Sequence, residues 1–335
     1  MRIGRVLGGV VVVLVIIPVI AAVVTVRFRD PSSPPRLQAH HVDAAATACA
    51  KPAPIRHPLI GVALATPGDD LNKFAQAVVP PQIVAQYLPF KDPYNSALAC
   101  RIAQAGGRLL VQWNPKGVSL QRIAHGKWDR YITKFARDVR AAQVPIVLSF
   151  GHEMNGNWYT WGYTKTSPRE FIAAWRHLHR LFAKAGASNV TWCWNVNTWQ
   201  PDLAGKANYG ITPARRWWPG ARYVDWIGLD AYFETSYDTF HGIFNYPLRA
   251  LRRIAHKPVL IAETAAAQGP RQARQIRSLF SGIRRTSVIG AVWFESNNSN
   301  VRENWLIEGQ RAAIGAFRAG ARSLALINRS PQARA

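Results

Sequence analysis

Two glutamates stand where chemistry can be done. Glu153 follows the apolar run Val144–Phe150, inside Gly151-His152-Glu153-Met154-Asn155-Gly156-Asn157-Trp158-Tyr159-Thr160-Trp161-Gly162, a stretch of carboxylate, imidazole, amides and two indoles. Glu263 ends a second apolar run, Pro258-Val259-Leu260-Ile261-Ala262-Glu263-Thr264. A carboxylate that closes a buried parallel strand lies at the mouth of its sheet, where flat indoles can line a groove for pyranose rings. Two carboxylates flanking one glycosidic bond are the minimum for glycoside hydrolysis. Zinc chemistry is the first competitor, because His152-Glu153 begins an H-E-x-x-H pattern. The fifth position is Gly156, so the second ligand is missing. The three cysteines, Cys49, Cys100 and Cys193, have no paired metal spacing. Neither a metal nor an organic cofactor is expected.

The elements that must carry these groups are legible as alternating patterns. Strand-like apolar runs occur at Leu59–Ala65, Ile83–Leu88, Arg108–Trp113, Pro145–Phe150, Val190–Asn195, Tyr223–Leu229, Pro258–Glu263 and Val288–Phe294. Helical periods separate them. In Lys127–Ala142, Trp128, Tyr131, Phe135 and Val139 fall on one face. A second helix opens at Ser167-Pro168, an N-cap with Pro at N1, and continues through Phe171, Trp175, Leu178 and Phe182. Short apolar strands alternating with helices give a parallel sheet covered by helices. Eight of them, with polar or aromatic residues at nearly every strand end, predict a closed (β/α)8 TIM barrel over residues 59–322, with a C-terminal tail at 323–335. Trp192, Trp194 and Trp226 lie within strands and read as core. Asp225 reads as a loop-fixing residue, His177 and His179 as surface groups, and Cys193 as a buried thiol.

Ahead of the barrel, Val6–Val26 is uncharged and rich in Val, Ile and Leu. At 1.5 Å per residue a helix over it spans about 30 Å, the thickness of the hydrocarbon core. It is longer than a signal-peptide core and has no nearby A-x-A site, so residues 1–29 read as an uncleaved signal-anchor. Residues 30–58, with Pro31, Pro34, Pro35, Pro52 and Pro54, read as a Pro/Ala-rich linker. The barrel is then extracytoplasmic on a single-pass membrane anchor, with secretion after signal cleavage as the alternative. In that compartment Cys49 and Cys100 can bridge. The net charge of +24, from 42 basic and 18 acidic residues, suggests an anionic neighbour. The densest cluster, Arg249, Arg252 and Arg253, has the spacing of a solvated helix face. No nucleic-acid module is visible, so a nucleic-acid partner is not expected. Nothing in the chain specifies an oligomeric state.

On these residues the chain resembles glycoside hydrolase family 26, retaining endo-glycanases that include β-mannanases, with some members acting on mixed-linkage β-glucan or xylan. The resemblance runs over most of Leu59–Glu308. It includes Gln112-Trp113-Asn114-Pro115, the HEMNG motif His152–Gly156, Val224-Asp225-Trp226-Ile227-Gly228-Leu229-Asp230, Ile261-Ala262-Glu263-Thr264 and Val292-Trp293-Phe294. It implies that Glu153 is the acid/base and Glu263 the nucleophile of a double displacement. It implies that His152 orients the sugar or Glu153, that Tyr232 bonds the nucleophile, and that Trp293 is a sugar platform. Trp113, Trp158 and Trp161 complete the substrate-binding set. Asn114, Ser149 and Ala265-Ala266-Ala267 depart from the family pattern and put mannan specificity in question. The implied partner is a β-linked polysaccharide, β-mannan-like first, with β-1,3-1,4-glucan or xylan as alternatives. A catalytically silent glycan-binding barrel is the non-enzyme alternative.

Overall fold

The computed structural model describes Cys49 and residues 58–64, 71–198, 214–297 and 303–327. The expected signal-anchor and all of the linker except Cys49 and Pro58 lie outside these residues. Among the described residues no helix is long and apolar enough to cross a membrane.

Eight parallel strands close on themselves in sequence order. They are β1 (Leu59–Leu64), β2 (Ile83–Pro89), β3 (Arg108–Asn114), β4 (Ile146–Phe150), β5 (Val190–Asn197), β6 (Trp226–Asp230), β7 (Val259–Thr264) and β8 (Val288–Glu295). β1 closes the ring against β8, Leu59 pairing with Gly290 and Leu64 with Glu295. Every residue of β4, β6 and β7 is buried, which is what a strand covered on both faces requires. Around them run α1 (Leu71–Ala77), α2 (Ser96–Gln104), α3 (Leu120–Ala124), α4 (Asp129–Ala142), α5 (Pro168–Lys184), α6 (Phe240–Ile254), α7 (Gln272–Arg284) and α8 (Arg311–Ile327).

Local chemistry sets the boundaries. Ser167 caps α5, its hydroxyl accepting from the Glu170 amide while the Glu170 carboxylate accepts from the Ser167 amide. Such a reciprocal box is worth about 1 kcal/mol over an uncapped start. α4 buries Ile132, Phe135, Ala136, Val139 and Ala142 against the barrel, the face its apolar period marks. β6 begins at Trp226, later than the apolar run at Tyr223 suggests, because Ala221–Tyr223 is a 3-10 turn. α8 runs to Ile327, through the boundary expected at residue 322. Cys49 is disulfide-bonded to Cys100 of α2, Cα to Cα 5.3 Å. Closing a loop of 51 residues removes about 4 kcal/mol of chain entropy from the unfolded state. Cys193 is free and buried, and Trp192, Trp194 and Trp226 are core. Asp225 accepts from the Trp192 amide at 2.8 Å and fixes the turn into β6.

Candidate active site

Both glutamates reach the mouth, from strand ends four and seven. The backbone at Glu153 is left-handed (φ 53°), two residues after Gly151 (φ 57°). For a residue with a Cβ this is a conformation the surroundings must enforce. They do so through the Glu153 amide, which donates to Asn195 O at 2.9 Å, and the Glu153 carbonyl, which accepts from Gly156 N at 2.9 Å. Asn155 then stitches this turn to the end of β5. Its side chain donates to Asn197 O at 2.9 Å and accepts from Asn197 N at 3.0 Å. That double bond holds Asn197 where its own Nδ2 donates to Glu153 Oε1. The other carboxylate oxygen, Oε2, accepts from Trp158 Nε1 at 2.8 Å. Gly156 is required beneath that indole, because a Cβ there would lie 2.3 Å from the Trp158 ring.

Glu263 is held differently. Tyr87, from β2, donates its phenolic proton to Oε2, and Tyr232, just past β6, donates to Oε1. Burial keeps the Tyr87 phenol protonated far into the alkaline range. A third carboxyl, Asp230 at the end of β6, is fully buried and accepts from Asn195 Nδ2 at 2.8 Å. The pairing of β6 with β7 slips between Leu229 and Asp230, bringing Asp230 level with Glu263.

Burial raises all three carboxyls above their ordinary values. For Glu153 the bonds from Asn197 and Trp158 oppose the rise. Asp230 is raised further by the charges of Glu263 and Glu153. Glu263 is pushed up to about 8, by burial first and then by the charge of Glu153, with the Tyr87 bond pulling it back. The sites therefore titrate as a group, and not all three are ionised at neutral pH. The two phenols favour charge on Glu263, while the bond with Asp230 favours charge on Glu153. With Glu153 protonated, the repulsion that lifts Glu263 disappears. The arrangement thus suits one ionised carboxylate opposite one carboxylic acid. His152 is buried and neutral, its ring lowered to about 3 by desolvation, with Nε2 3.1 Å from the Tyr159 hydroxyl.

The expected binding residues divide by which way their strands point them. Trp158 is 49% exposed, beside the Glu153 carboxylate that its indole bonds. Tyr232 bonds Glu263 as expected. Trp161 is buried rather than groove-lining, stacked on Tyr159 at 4.3 Å and donating to the His152 carbonyl at 2.7 Å. It supports the loop from below. Trp113 does not reach the mouth. It points into the helical layer between Phe90 and Phe135, at 4.9 and 4.4 Å. Trp293 is likewise turned outward, edge-on to Phe317 of α8 at 5.8 Å. The β8 aromatic beside the carboxylates is its neighbour Phe294, edge-on to both Tyr87 and Tyr232. Trp305 packs on Tyr232 at 4.9 Å from the loop after β8. That loop is anchored by buried Glu295, whose carboxylate accepts from Ile307 N at 3.0 Å and Glu308 N at 3.1 Å. Tyr87, Asn155, Asn197, Asp230, Phe294, Glu295 and Trp305 were not singled out from sequence. Asp230 and Glu295 carry the same strand-end carboxylate signal that marks Glu153 and Glu263. The two asparagines, Tyr87 and the two aromatics carry none beyond their place near strand ends.

Comparisons with known proteins bear on the family and the fold. The model of the family described as Glycosyl hydrolase family 26 matches residues 117–309. The chain is 35% identical over 252 residues to "Endoglucanase H" of Acetivibrio thermocellus, covering 70% of this chain and 27% of that protein. It is 28% identical over 157 residues to "Beta-1,3-xylanase TXYA" of a Vibrio species, covering 44% of this chain and 30% of that one. It is 34% identical over 101 residues to "Mannan endo-1,4-beta-mannosidase" of Bacillus subtilis, covering 28% and 25%. The matched part is thus about a quarter to a third of these relatives. Among solved structures, the catalytic domain of a GH26 endo-β-1,4-mannanase from Bacillus sp. JAMB-750 superimposes with TM-score 0.63 at 16% identity, over 80% of this chain and 86% of that one. A GH26 β-mannanase from Bacteroides ovatus gives TM-score 0.59 at 17% identity, over 80% and 89%. At these identities the structural likeness speaks to the fold.

Proposed function

The chain belongs to glycosyl hydrolase family 26, and from that premise we propose that it is a retaining endo-β-glycanase. The observation that supports this best is the asymmetric holding of the two glutamates. Glu263 accepts two phenolic protons, while Glu153 accepts the Asn197 amide and Trp158 indole protons and shares a bond with the Asp230 carboxyl. In the proposed reaction, ionised Glu263 attacks the anomeric carbon as Glu153 gives its proton to the leaving glycosidic oxygen. A glycosyl-enzyme ester forms and the shortened chain departs. Glu153, now ionised, takes a proton from water, whose oxygen displaces Glu263 from the sugar. Trp158 walls the groove, and neutral His152 orients sugar or acid. No metal or organic cofactor enters this scheme.

The substrate we propose is a β-linked, mannan-like polysaccharide. β-Glucan is the second reading, because the match to the endoglucanase extends over far more of the chain than those to the mannosidases. That protein's name describes a chain of which only 27% is matched, so it does not decide the issue. The chain would be held outside the cytoplasm by Val6–Val26 as an uncleaved anchor, with release after cleavage as the alternative. The Cys49–Cys100 disulfide supports an oxidising compartment. The test is release of new reducing ends from mannan, glucomannan, mixed-linkage β-glucan and xylan, with Glu263→Ala alongside. Hydrolysis of one polymer with retained anomeric configuration, lost in the variant, is the expected result. Binding without hydrolysis on every polymer would favour a glycan-binding barrel.

A further inference from the structure

The fold sorts charge by face. In a β/α barrel the strands' C-terminal ends form the mouth, and the helix ends and strand starts form the opposite face. Most acidic residues lie toward the mouth, among them Asp129 and Glu170 in the first turns of α4 and α5, and Glu234 and Asp238 between β6 and α6, while Asp138 late in α4 and Asp225 before β6 lie on the opposite side. From Thr239 to Phe294 the sequence has a single acidic residue, Glu263, and that belongs to the mouth. Of the nine lysines and arginines in the same segment five lie on the far side, while Arg271 and Arg274 stand at the start of α7, toward the mouth. Arg252 and Arg253 lie in the last turn of α6, Lys257 in the loop into β7, Arg284 at the end of α7 and Arg285 just past it. The four arginines are exposed and Lys257 is half-buried. Among the described residues none of the five pairs with a carboxylate.

Compensation of helix dipoles explains only part of this. Cations are favoured in the last turn of a helix, which covers Arg252, Arg253 and Arg284. Lys257 and Arg285 lie beyond their helices, and the first turns of α6 and α7 carry no balancing acid. Spread along the sequence these bases look like solvated helix faces, but folding brings them to one rim. β1 starts at Leu59 on that same face, so the sequence before it joins the barrel there. A stacking polymer is a poor fit. The large exposed apolar side chains among the described residues are Trp158, Tyr237 and Tyr246, and none belongs to the cluster.

We propose that the face opposite the mouth, centred on Arg252, Arg253, Lys257, Arg284 and Arg285, docks on an anionic lipid surface. The mouth then points away from the bilayer, toward its polymer. This rests on the hydrolase reading only for what the mouth does, and its test does not involve hydrolysis. The full chain is reconstituted in vesicles of phosphatidylcholine alone or with about one-third phosphatidylglycerol. A membrane-impermeant amine reagent then labels Lys257 and, as reference, exposed Lys165 in the loop before α5. One basic residue at an anionic surface is worth roughly a five-fold gain in association. Labelling of Lys257 relative to Lys165 should therefore fall about five-fold or more in the anionic vesicles. In about 1 M salt, where screening acts within roughly 3 Å, it should recover. Equal labelling in both vesicles overturns the proposal. So does protection by soluble polyglutamate without protection by anionic vesicles, which would make the partner an acidic polymer. Arg252→Glu combined with Arg285→Glu should abolish the lipid-dependent difference, and a difference that survives would place the contact elsewhere.

Discussion

Removing the Tyr87 hydroxyl isolates what holds charge on Glu263. In Tyr87→Phe the ring keeps its edge-on packing against Phe294 and His152, at 6.2 and 5.8 Å, so the loss is confined to one O–H. That O–H donates to Glu263 Oε2 and lowers the Glu263 pKa. A hydrogen bond to a charged group contributes about 1.5 to 3 kcal/mol. Its loss destabilises only the ionised form, and one pKa unit corresponds to about 1.4 kcal/mol. The Glu263 pKa should therefore rise by about 1 to 2 units. If Glu263 must be ionised to attack, the acidic limb of kcat/KM against pH moves upward by that amount, because this limb reports the free enzyme. Below the limb the rate falls roughly 10- to 100-fold, and above it much less. The alkaline limb, set by protonated Glu153, should hardly move. The assay is initial reducing-end release across pH on whichever polymer is cleaved. An acidic limb that stays put, or moves down, would refute both the assignment of Glu263 as nucleophile and the reasoning from the phenol.

Four further outcomes follow from the same geometry. Because the Glu263 pKa is raised in the folded state, stability from its protonated form is fully present below about 4.5 and is lost as pH rises through about 8. Glu263→Gln should thus raise Tm by a few degrees at pH 8 and have no effect near pH 4, read by thermal unfolding. Asn155→Ala removes both bonds to the Asn197 backbone and frees the amide that holds Glu153. The expected loss is about 1 to 3 kcal/mol of stability, by chemical denaturation, and a fall in kcat exceeding any rise in KM. Trp158→Ala should raise KM and leave Tm within a degree or two. Trp293→Ala should cost about 3 to 5 kcal/mol of stability, because it empties a site packed against α8. Equal effects of the two on KM would contradict the placement of Trp293.

The barrel was legible because its evidence is local. A strand covered on both faces must be apolar along its length, and a helix lying on it must show its period, so eight runs and their spacers could be read from composition. The placement of Glu153 and Glu263 at the mouth was legible for the same reason: a carboxylate at the end of an apolar run is a local anomaly. What could not be read is the side of the strand. Trp113 and Trp293 sit at strand ends in family motifs, yet side chains alternate, and a one-residue difference sends Trp293 to α8 and Phe294 to the mouth. Nor could the partners of the carboxylates be read, since Tyr87 comes from β2 and Asn197 from β5, both far from their glutamates in sequence.

Asp230 shows why those distant partners matter more than the glutamates' own motifs. Three carboxyls share one buried space, so the charge on each depends on the other two. Burial alone would keep all of them neutral, and a neutral Glu263 cannot attack. Two phenols on Glu263 favour charge there, and Asn195 on Asp230 is the weaker donor by comparison. In the proposed reaction the division of labour between nucleophile and acid rests on Tyr87 and Tyr232. Removing both hydroxyls should leave both glutamates in place and the site inactive at neutral pH, with activity recovered only as the pH is raised.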